Sequence, residues 1–111
     1  MDTITWNDFE KIDIRVGTIT EVNDFPKAKN PAWQIAIDFG ELGIKNSSAQ
    51  ITNLYNKEEL VGRQVIAIVN FPPKQIANFF STCLVLGIYT DKKEVVLLGP
   101  DRPVQNGWKI G

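Results

Sequence analysis

The stretch "IDIRVGTITEV", residues 12–22, places the strongest constraint on the fold. Apolar and polar residues alternate over positions 12–16, which is the pattern of a half-buried β-strand. After Gly17 the pattern shifts, because the next apolar residues are Ile19 and Val22. A shift beside a glycine predicts a β-bulge or a sharp bend within one long strand. A long first strand that bends in this way is typical of a small closed barrel.

Further short strands follow along the chain. "AWQIAIDFG" has the clearest alternation, and it places Trp33 with Ile35 and Ile37 on one buried face. "QVIAIVN" and "CLVLGIY" are continuously apolar, which indicates strands covered on both faces, whereas "IKNSSAQI" predicts a polar strand. A short helix is predicted at residues 6–11, after a Thr5 cap, and another in "YNKEEL".

These elements predict one all-β domain over residues 1–111. Five or six short strands with two short helical segments fit a five-stranded OB-fold barrel, and a small β-sandwich is the alternative. The bent first strand, the polar third strand and the helical segment before the fourth favour the barrel. The open face and loops of such barrels bind nucleic acids or oligosaccharides.

Composition argues against an enzyme. The chain has no histidine, so the commonest general base and the commonest metal ligand are both missing. It also lacks a glycine-rich phosphate-binding motif and any paired cysteines, so we expect no catalytic residue, no cofactor and no metal. An enzyme that uses serine or lysine chemistry remains the alternative. It would require a pocket that joins Lys45 or Lys74 to a carboxylate such as Asp38.

Several features predict a cytoplasmic protein without membrane insertion. No run of eighteen apolar residues is present, and the acidic N-terminus does not resemble a signal peptide. The single cysteine, Cys83, lies in a strand-like run and is expected to be a buried, inert thiol. The net charge of −1 argues against a dedicated polyanion binder, although Glu58 and Glu59 are the only acids from Leu42 to Thr90.

The segment "VNFPPKQIANFFS", residues 69–81, combines three phenylalanines with one lysine. Phe79 and Phe80 are adjacent, so in an extended strand at most one of them faces the core. Burial or a dimer contact is the simpler explanation for these rings. An exposed apolar patch also marks a partner surface, and we therefore predict a peptide-binding set. Its members are Phe71, Phe79, Phe80 and Lys74.

Four segments together carry a family resemblance. "FEKIDIRVGTI", "GIKNSSAQIT", "LVGRQVIAIVNFPPKQIANFFS" and "LVLG" resemble the tRNA-binding OB-fold domain, in an order that covers roughly Phe9 to Ile110. That family includes free-standing tRNA-binding proteins and appended domains of some methionyl- and phenylalanyl-tRNA synthetases. Within it, the chain most resembles a branch of small bacterial and archaeal proteins described as export-related chaperones.

The resemblance implies an OB fold, a homodimer, RNA-binding ancestry and an interaction with unfolded or secretory polypeptides. Docking to the secretion machinery would accompany that function. The dimer would use either the N-terminal segment around Trp6 and Phe9 or the C-terminal tail around Trp108. The resemblance also implies a set of RNA-binding residues. Those that match the family's pattern are Ser47, Ser48, Gln50, Asn70, Lys74 and Ser81, and Lys45 is added because it lies close to the serines of the polar strand.

The chain departs from the family in its charge. Typical tRNA-binding members are rich in lysine, whereas this sequence is slightly acidic and continues after Lys74 with the aromatic "IANFFS". This departure favours a chaperone that retains tRNA-binding capacity. The alternative is a free-standing tRNA-binding protein that acts in trans.

Overall fold

The computed structural model describes residues 1–111. The chain forms short strands, two short α-helices and one 3-10 turn at Gly40–Leu42. The helices are α1 (Trp6–Glu10) and α2 (Lys57–Leu60). The strands are β1 (Ile14–Asp24), β2 (Trp33–Asp38), β3 (Ile44–Ala49), β4 (Gln64–Ile68), β5 (Lys74–Ile76), β6 (Phe79–Ser81), β7 (Leu84–Val85), β8 (Gly87–Tyr89) and β9 (Val95–Leu97).

Five antiparallel strands form the main sheet, in the order β3-β2-β1-β4-β7. β1 pairs with β4 through Ile14–Thr18 and with β2 through Thr18–Asp24, so this one long strand takes part in both halves of the sheet. The sheet curves into a nearly closed barrel, and the predicted OB fold is confirmed. The chain forms two further hairpins, β5–β6 and β8–β9.

The barrel closes between the outer edge of β3 and the segment that follows β6. The Thr82 amide donates to the Asn46 carbonyl at 2.8 Å, and the Asn46 amide donates to Thr82 Oγ1 at 3.0 Å. The Ser48 amide donates to Ser81 Oγ at 2.9 Å. Side-chain hydroxyls therefore take the place of backbone carbonyls along part of this seam.

The prediction that β1 is distorted at Gly17 needs a correction. The register shifts between Ile19 and Glu21, so the bulge lies after Ile19. Gly17 and Ile19 are both buried and lie two positions apart, so they share one face of the strand. Val16 lies on the other face, where it is buried outside the main core cluster. The pattern shifted because β1 has apolar residues on both faces.

Gly17 is required for a different reason, which is close packing. A Cβ atom at Gly17 would lie 2.7 Å from both Ile37 Cγ2 and Phe39 Cδ1. Both of those side chains are fully buried in the core cluster. A larger residue at this position would overpack the barrel interior.

The apolar side chains that alternate along β2, as predicted, form part of the core. Ile35 and Ile37 are buried, and Trp33 packs against the cluster from its rim, where its Nε1 donates to the Tyr55 carbonyl at 3.1 Å. Cys83 is also buried, and burial raises the pKa of its thiol to about 12, while nearby Lys45 acts in the opposite direction. The thiol is therefore protonated at neutral pH.

The first helix has the predicted cap. Thr5 Oγ1 accepts from the Asp8 amide at 3.1 Å, and Asp8 Oδ2 accepts from the Thr5 amide at 3.0 Å. The helix itself buries no residue, and Trp6 remains 82% exposed. Trp108 is exposed as well, in a tail that pairs with β1 through Lys109 and Arg15. The dimer contact predicted for these residues stays a prediction.

The predicted strand "CLVLGIY" is divided into β7 and β8, because β7 pairs with β4 whereas β8 pairs with β9. No helix in the structure combines the length and apolar character needed to span a membrane.

Candidate ligand-binding furrow

An open furrow of about 1100 Å³ lies between the end of β3, the β5–β6 hairpin and the β7–β9 segment. Of its 21 lining residues, 11 are hydrophobic and none is Asp or Glu. Its lining residues are Ser47, Ser48, Ala49, Gln50, Ile51, Phe71, Pro72, Pro73, Lys74, Gln75, Ile76, Ser81, Cys83, Leu84, Val85, Leu86, Gly87, Tyr89, Lys93, Val95 and Leu97.

The first wall is the segment from Phe71 to Ile76. Phe71 is 53% exposed, and it is held between the anchored Asn70 and two prolines that restrict the backbone. The Asn70 side chain donates to the Lys11 carbonyl at 2.7 Å and accepts from the Asp13 amide at 3.0 Å. The Asn70 side chain, which was predicted to bind RNA, therefore bonds the start of this wall to the end of α1, and it does not line the furrow.

The remaining two phenylalanines lie outside the furrow. Ile76 pairs with Phe79 across a two-residue turn, and the Phe79 ring packs on Phe25 with 5.4 Å between centroids. Phe80 points away and is 54% exposed. The adjacent rings therefore face opposite sides of the hairpin, as the extended backbone requires.

The polar residues of β3 differ in what they offer to a ligand. Ser47 is only 2% exposed, and its hydroxyl donates to the Ser48 carbonyl at 3.3 Å. Ser48 and Ser81 are joined by the seam hydrogen bond, which leaves the Ser81 hydroxyl proton free to donate to a ligand. Gln50 is exposed at the end of the strand. Lys45 lies near the Cys83 thiol and is not part of the furrow lining.

Sequence reasoning missed the second wall, which the β8–β9 hairpin supplies. Tyr89 is 80% exposed and Lys93 is exposed, and both line the same furrow as the Phe71 segment. The apolar run that contains Tyr89 indicated a fully covered strand, so its exposure was not expected. The turn at residues 91–93 was the available signal, because a hairpin that ends in two lysines presents charge at its tip.

The furrow combines apolar surface with positive charge. Lys74 on one wall and Lys93 on the other are its only charged residues. The furrow does not join Lys45 or Lys74 to a carboxylate such as Asp38, because its lining includes Lys74 but neither Lys45 nor any acidic residue. Asp38 lies outside the furrow, where its Oδ1 accepts from the Gly40 amide at 2.8 Å. Such a site fits apolar groups and accepts hydrogen-bonding or anionic groups at its rim.

Comparisons with known proteins identify relatives of this architecture. The chain is similar to the chaperone CsaA from Bacillus anthracis, with 49% identity, a TM-score of 0.94 and coverage of 99% of this chain and 100% of that one. It is also similar to a CsaA chaperone protein from Picrophilus torridus, with 58% identity, a TM-score of 0.92 and coverage of 98% and 100%.

Curated relatives are much longer proteins. The methionine–tRNA ligase of Nanoarchaeum equitans is 37% identical over 96% of this chain, but the chain spans only 13% of that enzyme. A family model described as "Putative tRNA binding domain" matches residues 14–109. This match covers all nine strands of the barrel and its hairpins, and the chain belongs to the tRNA-binding domain family.

Proposed function

We propose that this chain is a non-catalytic chaperone that holds unfolded or secretory polypeptides in the furrow, and that it retains tRNA-binding capacity. The observation that carries the proposal is the furrow itself, which exposes apolar side chains and contains no acidic residue. A concave site lined mainly by apolar side chains with a few polar groups is typical of a ligand-binding site. The similarity to proteins named as CsaA chaperones supports the same function.

The furrow suits clients of varied sequence. Phe71 and Tyr89 would contact apolar side chains from the two walls, and such contacts require no particular sequence. The hydroxyl of Ser81 and the amide of Gln50 would donate to backbone carbonyls, which every polypeptide presents. The two prolines of the Phe71 wall would lower the ordering cost of binding. Binding of this kind requires no nucleotide.

Binding of tRNA is the second function, and a specific observation favours it. The rim of the furrow carries Lys74 and Lys93 beside hydroxyl and amide groups, which are the groups that contact phosphate and sugar. The family to which the chain belongs supports the same partner. With so few cations, we expect tRNA binding to depend less steeply on salt than binding by a dedicated lysine-rich protein.

The proposal also includes a cytoplasmic homodimer and, for the export function, docking to the secretion machinery. Exposed Trp6 and Trp108 supply apolar surface for the dimer contact. A dimer would present two furrows, and a client that occupies both would be held more tightly than one furrow allows.

The test is suppression of aggregation of a chemically denatured reporter enzyme. The variant Phe71→Ser with Tyr89→Ser removes one exposed ring from each wall of the furrow. We expect most of the protection to be lost while the fold, measured by circular dichroism, is retained. The matched control is Phe80→Ser, which removes a phenylalanine of similar exposure outside the furrow and should leave protection intact.

Two results would contradict the assignment. If the furrow variant protects the reporter as well as the parent does, clients are not held between these walls. If the control loses protection to the same extent, clients bind the outer face of the hairpin, where the predicted residue Phe80 lies.

A further inference from the structure

The first wall of the furrow presents the edge of a strand. Every residue from Phe71 to Ile76 lines the furrow, and this run includes all three residues of β5. Successive side chains of a strand point to opposite faces, so a furrow that meets consecutive residues borders the strand along an edge. Phe79 and Phe80 pair with β5 from the other strand of the hairpin and do not line the furrow. The furrow therefore borders the edge of β5 that faces away from β6.

That edge of β5 is unpaired. β5 has β6 as its only neighbour in a sheet, and no backbone group from Phe71 to Ile76 forms a hydrogen bond with the backbone of a loop or turn. Bonded and non-bonded pairs alternate along an antiparallel ladder, so at least one of the three β5 residues directs its N–H and C=O away from β6. An edge of this kind is a template for pairing with another extended chain.

The second wall presents the face of a strand pair instead. Ile88 and Val96 pair with each other across the β8–β9 hairpin, and neither lines the furrow. The residues on either side of them do line it, which is the alternation of one pleated face. These residues are Gly87, Tyr89, Val95 and Leu97. The furrow thus combines an unpaired strand edge with a mainly apolar pleated face.

We propose that the furrow holds a client as an added strand, whose backbone pairs with the free edge of β5 and whose alternate side chains pack on the β8–β9 face. The inference rests on the polypeptide-binding part of the proposed function. It specifies the client as an extended segment with apolar residues at every second position. Strand addition draws affinity from main-chain hydrogen bonds and selectivity from alternate side chains.

The size of the furrow fits a stretch of polypeptide. At about 1100 Å³ it exceeds the range of about 300–1,000 Å³ that is usual for small-molecule sites. A polypeptide also carries the regularly spaced N–H and C=O groups that an unpaired edge requires, whereas an RNA backbone has no such series. The edge of β5 therefore favours polypeptide over RNA as its occupant.

The edge is short, which limits how tightly it can hold a chain. Pro72 and Pro73 have no N–H, and the two-residue turn begins directly after Ile76. Proline, lysine and short length are the features that keep exposed edges from pairing with copies of the same protein. Pairing with β5 contributes few hydrogen bonds, so a client also needs the apolar contacts of the second wall.

The experiment is a scan of backbone N-methylation along a short fluorescein-labelled peptide in which valine alternates with threonine. Each N-methyl group removes one N–H donor and leaves the side chain in place. Fluorescence anisotropy should show affinity about five- to tenfold weaker for methylation at every second position, and less than about twofold weaker at the positions between. Hydrogen exchange measured by NMR should slow for at least one β5 amide when the unmodified peptide binds.

The matched protein variants locate the added strand. Phe71→Ser with Tyr89→Ser removes one exposed ring from each wall and should weaken binding of the unmodified peptide at least about fivefold. Phe80→Ser is the control, because Phe80 lies in the same hairpin but outside the furrow, and it should keep the parental affinity.

The possible failures are distinct. If the peptide binds but methylation has no alternating effect, side chains alone hold the client, and the inference is overturned while the proposed function stands. If the effect alternates but the furrow variant binds as the parent does, the strand is added at another edge, which also overturns it. Slow exchange of every β5 amide in the free protein would mean that a second copy already covers the edge, with the same consequence. If the peptide does not bind, the inference fails alone when the parent still protects the denatured reporter, and together with the proposed function when it does not.

Discussion

The two halves of the molecule use the same residue types for opposite purposes. In residues 14–68 apolar side chains fill the barrel, and Phe39 is fully buried. After Asn70, Cys83 is the only buried residue. Phe71 is a phenylalanine like Phe39, but it is 53% exposed. The difference indicates that the first half supplies most of the buried core, whereas the second half leaves more of its apolar side chains exposed.

The largest expected effect is a difference in stability between two variants, each of which removes one phenylalanine from one half of the molecule. Phe39→Ala should lower the free energy of unfolding by about 3–5 kcal/mol, because it removes a fully buried ring and leaves a cavity. Phe71→Ala should change it by about 1 kcal/mol or less, because Phe71 is already about half exposed to water. Urea denaturation of both variants and the parent provides the measurement. A loss of more than about 2 kcal/mol for Phe71→Ala would mean that the furrow wall is part of the core.

Cys83 sharpens the comparison, because it lies in the second half but behaves as a barrel residue. Burial raises the pKa of its thiol from 9.0 to about 12, so the folded state disfavours the thiolate. The stabilisation is complete below the unfolded pKa and declines as pH rises above 9. Between pH 9 and about pH 10.5 the parent should lose on the order of 2 kcal/mol through this thiol.

The comparison for that prediction is Cys83→Ala, which has no thiol to ionise. Its free energy of unfolding should fall less steeply than that of the parent over the same pH range. Identical pH profiles for the two proteins would show that the thiol is accessible to water and that the seam beside it is open.

The smallest expected effect concerns the hairpin turn. Ala77 has φ of 53°, in the left-handed region that glycine tolerates better than alanine, and it occupies the first position of a two-residue turn. Ala77→Gly should therefore stabilise the protein slightly, by about 0.5 kcal/mol or less after the entropy of the unfolded chain is counted. Asn78→Gly is the control, because Asn78 has no positive φ, and it should be neutral or slightly destabilising. Thermal unfolding can rank the three proteins, and a clear loss of stability in Ala77→Gly would contradict the proposed strain.

The barrel could be predicted from the sequence because its signals are local. Alternation in β2, the Thr5 capping box and the apolar run of β4 each depend on neighbouring residues, and all three elements form where predicted. The burial predicted for β4 is reached on one face only, because Val65 and Ala67 are buried whereas Ile66 and Ile68 are partly exposed. The predicted position of the bulge was wrong, because alternation alone does not distinguish a shift in register from a strand with apolar residues on both faces.

The candidate site was less predictable, because it is assembled from distant segments. Asn70 bonds to Lys11 and Asp13, and no local pattern indicates that its amide is already occupied. The pairing of the Phe71 wall with Tyr89 and Lys93 depends on where two hairpins lie around the barrel. Tertiary packing decides these positions, so the sequence could indicate residue types for binding but could not indicate which of them share one furrow.

The central claim is that the furrow binds polypeptide through apolar contact, and one titration tests it most directly. A fluorescent, unfolded, apolar peptide without net charge is titrated with the parent protein at ionic strengths from about 0.05 M to about 0.5 M, in parallel with tRNA. We expect the peptide affinity to change by less than about threefold over this range, because apolar contacts are not screened, while tRNA affinity falls at least about tenfold. Absence of peptide binding, or a peptide affinity that falls with salt as steeply as that of tRNA, would contradict the account.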